Sequence, residues 1–372
     1  MLPSLEKKLA KRKAQHHFRE LSLKPNLIDL ASNDYLGLAR SPVLRQFILN
    51  ELQDIPSSLN GFGSTGSRLL TGNSLYCLDL EAHIASFHGY QAGTLFNCGY
   101  MANIGLFAAI AGENDCILYD AHIHASMHDG FRLSPAQAFP FRHNDLDHLE
   151  RRLKRRREIK GECFICLESL YSTDGSQAPL NEIIALSQRY QAHLIVDEAH
   201  AIGTCGPNGK GLIAENHATQ AIFATLMTFG KALGVHGAIV LGSTQLKETL
   251  ANFARSLIYT TALPRVSLAA IKSSYAVFPT LDQARQQLQH LIRCYQRQTP
   301  QAAPAHIQSI RVPGNHNVQS LSRQLALKGF DVRPLMSPTV RRGEERLRIC
   351  LHAYNTPAEI TELFYKIGAV YA

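Results

Sequence analysis

Two charged residues of opposite sign, each closing an apolar run, are the part of this sequence best equipped for chemistry. Leu194-Ile195-Val196-Asp197-Glu198-Ala199-His200 carries a carboxylate, and a histidine just after it, to the end of an apolar strand. Thr228-Phe229-Gly230-Lys231 ends a second apolar stretch in a lysine flanked by Phe229, Gly230, Ala232, Leu233 and Gly234. A lysine in such surroundings is partly desolvated, which favours the neutral, nucleophilic amine that attacks a carbonyl. An acid at the carboxyl edge of a parallel sheet stands where such folds bind ligands. Together they suit pyridoxal phosphate (PLP): Lys231 as the Schiff-base lysine, Asp197 as the acid that keeps the pyridine nitrogen protonated.

Neighbouring segments fit the same reading. Asn97-Cys98-Gly99-Tyr100-Met101-Ala102-Asn103 is a glycine turn into a helix, and a helix N-terminus offers backbone amides to a phosphate. His124, in Asp120-Ala121-His122-Ile123-His124, is a candidate to stack on the pyridine ring, and Ser172 in Ser172-Thr173-Asp174-Gly175 to donate to the cofactor.

Rival chemistries have specific requirements that this chain lacks. Asp197 to His200 spells the DEAH box of a nucleic-acid-binding ATPase, which needs a GxxxxGK[ST] phosphate loop. The nearest candidate, Gly203 to Gly211, has Gly211 after Lys210 and follows the acids rather than preceding them. A metal hydrolase built on His122, His124, His128, Asp129, Asp197 and His200 has no justifiable ligand spacing, so no metal is expected. Gly61-Phe62-Gly63-Ser64-Thr65-Gly66 matches GxGxxG, but Ile55 to Asn60 before it is no buried strand, so it reads as a glycine-rich segment near a substrate.

The elements that must position these residues are those of an α/β protein. Thr94 to Phe96, Cys116 to Tyr119, Phe164 to Leu167, Leu194 to Val196 and Ala238 to Leu241 are continuous apolar runs, as in a mostly parallel sheet covered on both faces. Amphipathic segments such as Asn181 to Tyr190 alternate with them. After Pro264 a long segment to about Arg297 reads as a connecting helix. Leu321, Leu325 and Leu327 precede Gly329, a helix stop, with a strand at Phe330 to Arg333. Thr356-Pro357-Ala358-Glu359 is a capping box with Pro at the first helical position, and Ile360, Leu363, Phe364 and Ile367 share one face of the helix it opens. The expected division is an N-terminal segment 1–45, a large cofactor domain 46–264 and a smaller α+β domain 265–372.

The 372 residues are 45% hydrophobic and 18% charged, ample for a sizeable core. No apolar stretch reaches membrane-spanning length, and the basic Met1 to Glu20 reads as an N-terminal helix of the mature protein rather than a secretory signal. Eight scattered cysteines include one CxxC pair, Cys163 and Cys166, inside an apolar run; they read as reduced, structural thiols of a cytoplasmic protein. The net charge of +8 is concentrated in Arg151, Arg152, Lys154, Arg155, Arg156 and Arg157. That stretch is either a solvated helix face or a docking surface for an acidic partner or phosphorylated substrate. Neither a nucleic-acid partner nor a membrane is expected.

Taken together, Asn33-Asp34-Tyr35-Leu36-Gly37-Leu38, Gly63-Ser64-Thr65-Gly66-Ser67-Arg68, Ser172-Thr173-Asp174-Gly175, Asp197 to His200 and Thr228 to Lys231 resemble the α-oxoamine synthases. These are fold-type I PLP transferases that condense an amino acid with an acyl thioester and release carbon dioxide. Gly66 to Asn73, with Pro338-Thr339-Val340 and Arg346-Leu347-Arg348, is similar to the biotin-pathway branch. That branch joins L-alanine to a pimeloyl thioester, on coenzyme A or acyl carrier protein, giving 8-amino-7-oxononanoate; glycine-using branches make 2-amino-3-oxobutyrate or 5-aminolevulinate. His352-Ala353-Tyr354-Asn355 departs from the family's usual Ser-Ala-His. The resemblance implies roles. Lys231 carries the cofactor and shuttles the α-proton; Asp197 holds the pyridinium; His124 stacks on the ring. His200 and Ser172 serve the phenolic oxygen, while Gly99, Tyr100 and Thr228 contact the phosphate. Arg348 clamps the amino-acid carboxylate, and His124, Arg19 and Thr339 meet substrate. It also implies a homodimer, with Thr260 and Thr261 reaching the partner's phosphate.

Overall fold

A computed structural model describes residues 2–21, 23, 26–53, 62–155 and 160–371. Arg156, Arg157 and the stretch from Ile55 to Gly61 lie outside the described residues. The chain forms two compact units, one of Met1–Tyr35, Ser172–Ser176 and Gln286–Ala372, the other of Leu36–Tyr171 and Gln177–Arg285.

The larger unit is organised on a seven-stranded sheet. In chain order its strands are β1 (Ala92–Phe96), β2 (Cys116–Asp120), β3 (Gln137–Phe141), β4 (Cys163–Glu168), β5 (His193–Asp197), β6 (Ala224–Thr228) and β7 (Ala238–Gly242). They lie side by side as β1-β7-β6-β5-β4-β2-β3. Pairings from β3 through β6 are parallel, and β7 runs antiparallel to both its neighbours. Every residue of β1, β4 and β7 is buried, which explains why these strands appear as unbroken apolar runs. Cys163 and Cys166 lie three apart on β4, so their side chains leave opposite faces of the sheet and form no pair.

Helix α1 (Gly99–Ile110) and helix α2 (Ala125–Leu133) pack against each other, with the Phe107 and Phe131 rings 4.7 Å apart. Gly130 makes that approach possible: a Cβ there would lie 2.9 Å from the Asn103 carbonyl oxygen. Leu106, Phe107, Ile117, Met127, Leu226 and Val240 meet in one apolar core with them. The basic helix Leu146–Arg155 buries Leu149 and Leu153 and exposes Arg151, Lys154 and Arg155, as a solvated face requires. The expected continuous helix from 265 to 297 is instead two helices, Arg265–Val277 and Asp282–Gln298. A 3-10 turn at Phe278–Thr280 separates them, where Pro279 cannot donate to a continuing helical ladder.

In the smaller unit, Arg333–Leu335, Arg346–Cys350 and Ile307–Arg311 form an antiparallel sheet, with helices Asn315–Leu327 and Pro357–Tyr371. The strand expected from Phe330 to Arg333 is two short strands. Phe330–Asp331 pairs with Ile28–Asp29, while Arg333–Leu335 joins the three-stranded sheet. Leu321 and Leu325 are buried, whereas Leu327 is 89% exposed. The capping box holds as expected: Thr356 N donates to Glu359 Oε2 (2.9 Å) and Glu359 N to Thr356 Oγ1 (3.2 Å).

Candidate active site

The ends of β4, β5 and β6, the start of α1 and the turn from His124 to Ser126 converge on one cavity of about 140 Å³ in the larger unit. Its lining includes Gly99, Tyr100, His124, Asp197, His200, Thr228 and Lys231, all candidates from the sequence. Strand geometry explains the convergence, since parallel strands deliver their last residues to one edge.

Lys231 lies on a tight loop between β6 and β7. Phe229 N donates to Gly237 O (2.9 Å), Val235 N to Phe229 O (3.0 Å) and Gly234 N to Lys231 O (2.9 Å), with Gly234 and Gly237 at positive φ. Phe229, Ala232 and Leu233 are buried and anchor the loop, leaving Lys231 half-buried. Its Nζ is 2.7 Å from His200 Nε2.

Asp197, 5% exposed, accepts from Ala199 N through Oδ1 (2.8 Å) and from Asn103 Nδ2 through Oδ2 (3.2 Å). The next acid of the DEAH run turns away from this chemistry. Glu198 is fully buried and accepts from Leu212 N (3.1 Å) and Ile213 N, so it ties a loop, and burial pushes its carboxyl up to about 7. His124 caps α2 and contacts Ser126, while burial lowers its pKa, with Asp197 opposing and Lys231 reinforcing. Tyr100 is partly exposed and donates through its hydroxyl to Asp129, which raises its pKa.

No side chain caps the N-terminus of α1, where Gly99 begins the helix beside Thr228. Uncapped helical N–H groups next to a hydroxyl suit a phosphate; a buried carboxylate suits a pyridinium; a partly desolvated amine suits an aldehyde. The residues present therefore fit PLP, each moiety meeting its own chemical complement.

Four sequence candidates belong to the smaller unit. Arg348 Nε donates to Ser172 O (2.6 Å) and its Nη2 to Asn33 Oδ1 (3.0 Å). Arg19 Nη2 reaches Thr339 Oγ1 at 3.3 Å. In the departing stretch, His352 N and Asn355 Oδ1 close a turn (2.9 Å) and Tyr354 Oη donates to Asp29 Oδ2 (2.9 Å). Thr260 and Thr261, in the larger unit, both bond Asn97. Three polar lining residues were not candidates from the sequence: Asn103, Ser126 and Glu168. Glu168 ends β4 as Asp197 ends β5, so the strand-end argument could have found it; Asn103 and Ser126 carry no comparable sequence signal.

A lysine, an acid and an uncapped helix at the carboxyl edge of this sheet define a fold-type I PLP-dependent transferase. The chain belongs to the aminotransferase class I and II family, whose model matches residues 25–367. It is 39% identical to the 8-amino-7-oxononanoate synthase of Emericella nidulans, over 98% of this chain and 94% of that protein. The solved 8-amino-7-oxononanoate synthase of Francisella tularensis has a TM-score of 0.79 and 28% identity, covering 93% of this chain and 98% of that one. Serine palmitoyltransferase from S. paucimobilis with a bound PLP–myriocin aldimine superposes with a TM-score of 0.88 at 26% identity, over 99% and 96%. The fold class and the α-oxoamine synthase resemblance expected from sequence are both borne out.

Proposed function

We propose that the chain condenses L-alanine with a pimeloyl thioester, releasing carbon dioxide and free thiol and giving 8-amino-7-oxononanoate, a step of biotin biosynthesis. The observation that carries this reading is Lys231 Nζ at 2.7 Å from His200 Nε2, in one cavity with Asp197, in a chain 39% identical to a synthase of that name. Bound PLP supplies an electron sink for the carbanion that forms at the α-carbon. Lys231 would hold the cofactor through Nζ and would carry the α-proton away and back. Asp197, buried, would hold the pyridinium. His124 would lie against the ring, His200 and Ser172 would serve the phenolic oxygen, and Gly99, Tyr100 and Thr228 would bind the phosphate. Arg348 clamps the alanine carboxylate by a bidentate pair, while Arg19 and Thr339 meet the acyl donor. The enzyme works as a cytoplasmic homodimer.

Purified protein should show a visible absorption band that borohydride removes, with the label on Lys231. It should also release 8-amino-7-oxononanoate from alanine and pimeloyl-coenzyme A or pimeloyl-carrier protein. Absence of the label sinks the cofactor assignment; higher kcat/KM with glycine or serine sinks the alanine assignment.

A further inference from the structure

The side chain of His124 does not stand alone in the cavity. Asn103 Nδ2 donates to Asp197 Oδ2 at 3.2 Å and to Ser126 Oγ at 2.9 Å. Ser126 Oγ lies 2.8 Å from His124 Nδ1, and Ser126 N donates to the same nitrogen at 3.3 Å. Asn103 is 2% exposed and Ser126 is 1% exposed.

Donor and acceptor counting fixes every proton in this chain. An ionised carboxylate only accepts, so the amide of Asn103 must face Asp197 with nitrogen. That nitrogen has two hydrogens, and the second goes to Ser126 Oγ. The Ser126 hydroxyl, accepting from Asn103, has its own hydrogen left to give, and His124 Nδ1 is its partner. The Ser126 backbone N–H points at the same ring nitrogen. A nitrogen receiving two donors carries no proton, so the neutral ring bears its hydrogen on Nε2. Putting a proton on Nδ1 would oppose the Ser126 N–H and strand the buried hydroxyl hydrogen without an acceptor.

We infer that Asn103 and Ser126 are positioning residues that lock His124 as the neutral Nε2–H tautomer and tie its orientation to Asp197. His124 therefore presents a hydrogen-bond donor, not a base, to whatever occupies the cavity, and the acid that holds one end of the site also sets the donor at the other. The link to turnover rests on the proposed condensation; the tautomer does not.

Nitrogen-15 NMR of the histidine-labelled protein, with and without PLP, reads the lock without reference to activity. Wild type should show His124 with Nδ1 bare and Nε2 protonated in both forms. Ser126→Ala should bring mixed tautomers, a higher His124 pKa, and a fall in kcat on the order of tenfold. Ser126→Thr, which keeps the hydroxyl, should restore all three. A proton on Nδ1 in wild type overturns the inference, as does a Ser126→Ala spectrum and titration identical to wild type. If Ser126→Ala fails to fold, Asn103→Asp replaces it. That change sets a second carboxyl against Asp197 and must alter the His124 titration, and an unchanged titration overturns the inference. Failure of the wild type to make product would sink the proposed reaction and leave the tautomer result standing.

Discussion

At the scale of single residues, the cavity separates groups that sequence position alone would merge. Asp197 and Glu198 are consecutive acids, yet one lines the cavity and the other bonds the backbone of Leu212 and Ile213. Alternation along the strand end accounts for this, because successive side chains leave opposite sides. Lys231 is the residue whose removal tests the site most directly. Lys231→Ala should lower kcat by roughly 10²–10⁴-fold, the range set by losing a positioned proton carrier, and should abolish borohydride labelling. A single-turnover assay with alanine checks it, and retention of wild-type rates would exclude Lys231 from proton transfer. The lysine and acid were readable because each closes an apolar run. Asn103 and Ser126 were not, since their importance comes from a contact between two helices that no local pattern encodes.

At the scale of elements, two constraints hold the loops that carry the chemistry. Gly234, at φ +69°, turns the Lys231 loop, and a Cβ there would lie 2.4 Å from Ala39 N and 2.6 Å from the Leu38 carbonyl carbon. Gly234→Ala should therefore destabilise the protein by about 1–3 kcal/mol and slow borohydride labelling of Lys231, measurable by urea unfolding and mass spectrometry. Arg68, two residues beyond the GxGxxG stretch, is anchored by a buried ion pair. Glu81, fully buried, accepts from Arg68 Nη1 (2.7 Å), Leu95 N (2.8 Å) and Lys247 Nζ (2.8 Å), linking Arg68 to β1 and to helix Thr244–Phe253. Glu81→Gln leaves the Arg68 charge without its counter-ion, with Arg68 only 12% exposed. The expected loss is roughly 3–5 kcal/mol by urea unfolding, and a smaller one for Lys247→Ala, whose partner keeps Arg68. The sequence made the central strands plain but not β3. That strand sits at the sheet edge, half-exposed and interrupted by Pro140, which an edge tolerates, so no apolar run marks it. The break at Phe278–Thr280 did carry a signal, Pro279, which the reading of one long helix passed over.

At the scale of the whole molecule, two buried groups pull stability in opposite directions as pH changes. Burial holds His88 neutral, down to about 3 from 6.5, with the Lys210 charge reinforcing it. Its Nε2 meets Tyr275 Oη at 3.1 Å. Burial pushes Glu198 up to about 7 from 4.5. Stability follows the difference in bound protons between unfolded and native states. Between pH 3 and 6.5 the unfolded chain protonates this histidine and the native state does not, so His88 makes stability rise with pH. Between 4.5 and 7 the native state keeps the Glu198 proton that the unfolded chain has released, so Glu198 makes stability fall with pH. From 4.5 to 6.5 the two slopes cancel, leaving a plateau with respect to these groups. Single substitutions should expose each slope. His88→Gln should lose stability relative to wild type as pH rises from 4.5 to 6.5, and Glu198→Gln should gain it over the same interval. The double variant should track the wild type there. Thermal unfolding followed by circular dichroism across pH 3.5–7.5 gives the comparison. Parallel curves for wild type and Glu198→Gln would mean that Glu198 is ionised in the native protein, and its hold on Leu212 and Ile213 would then be that of a buried carboxylate.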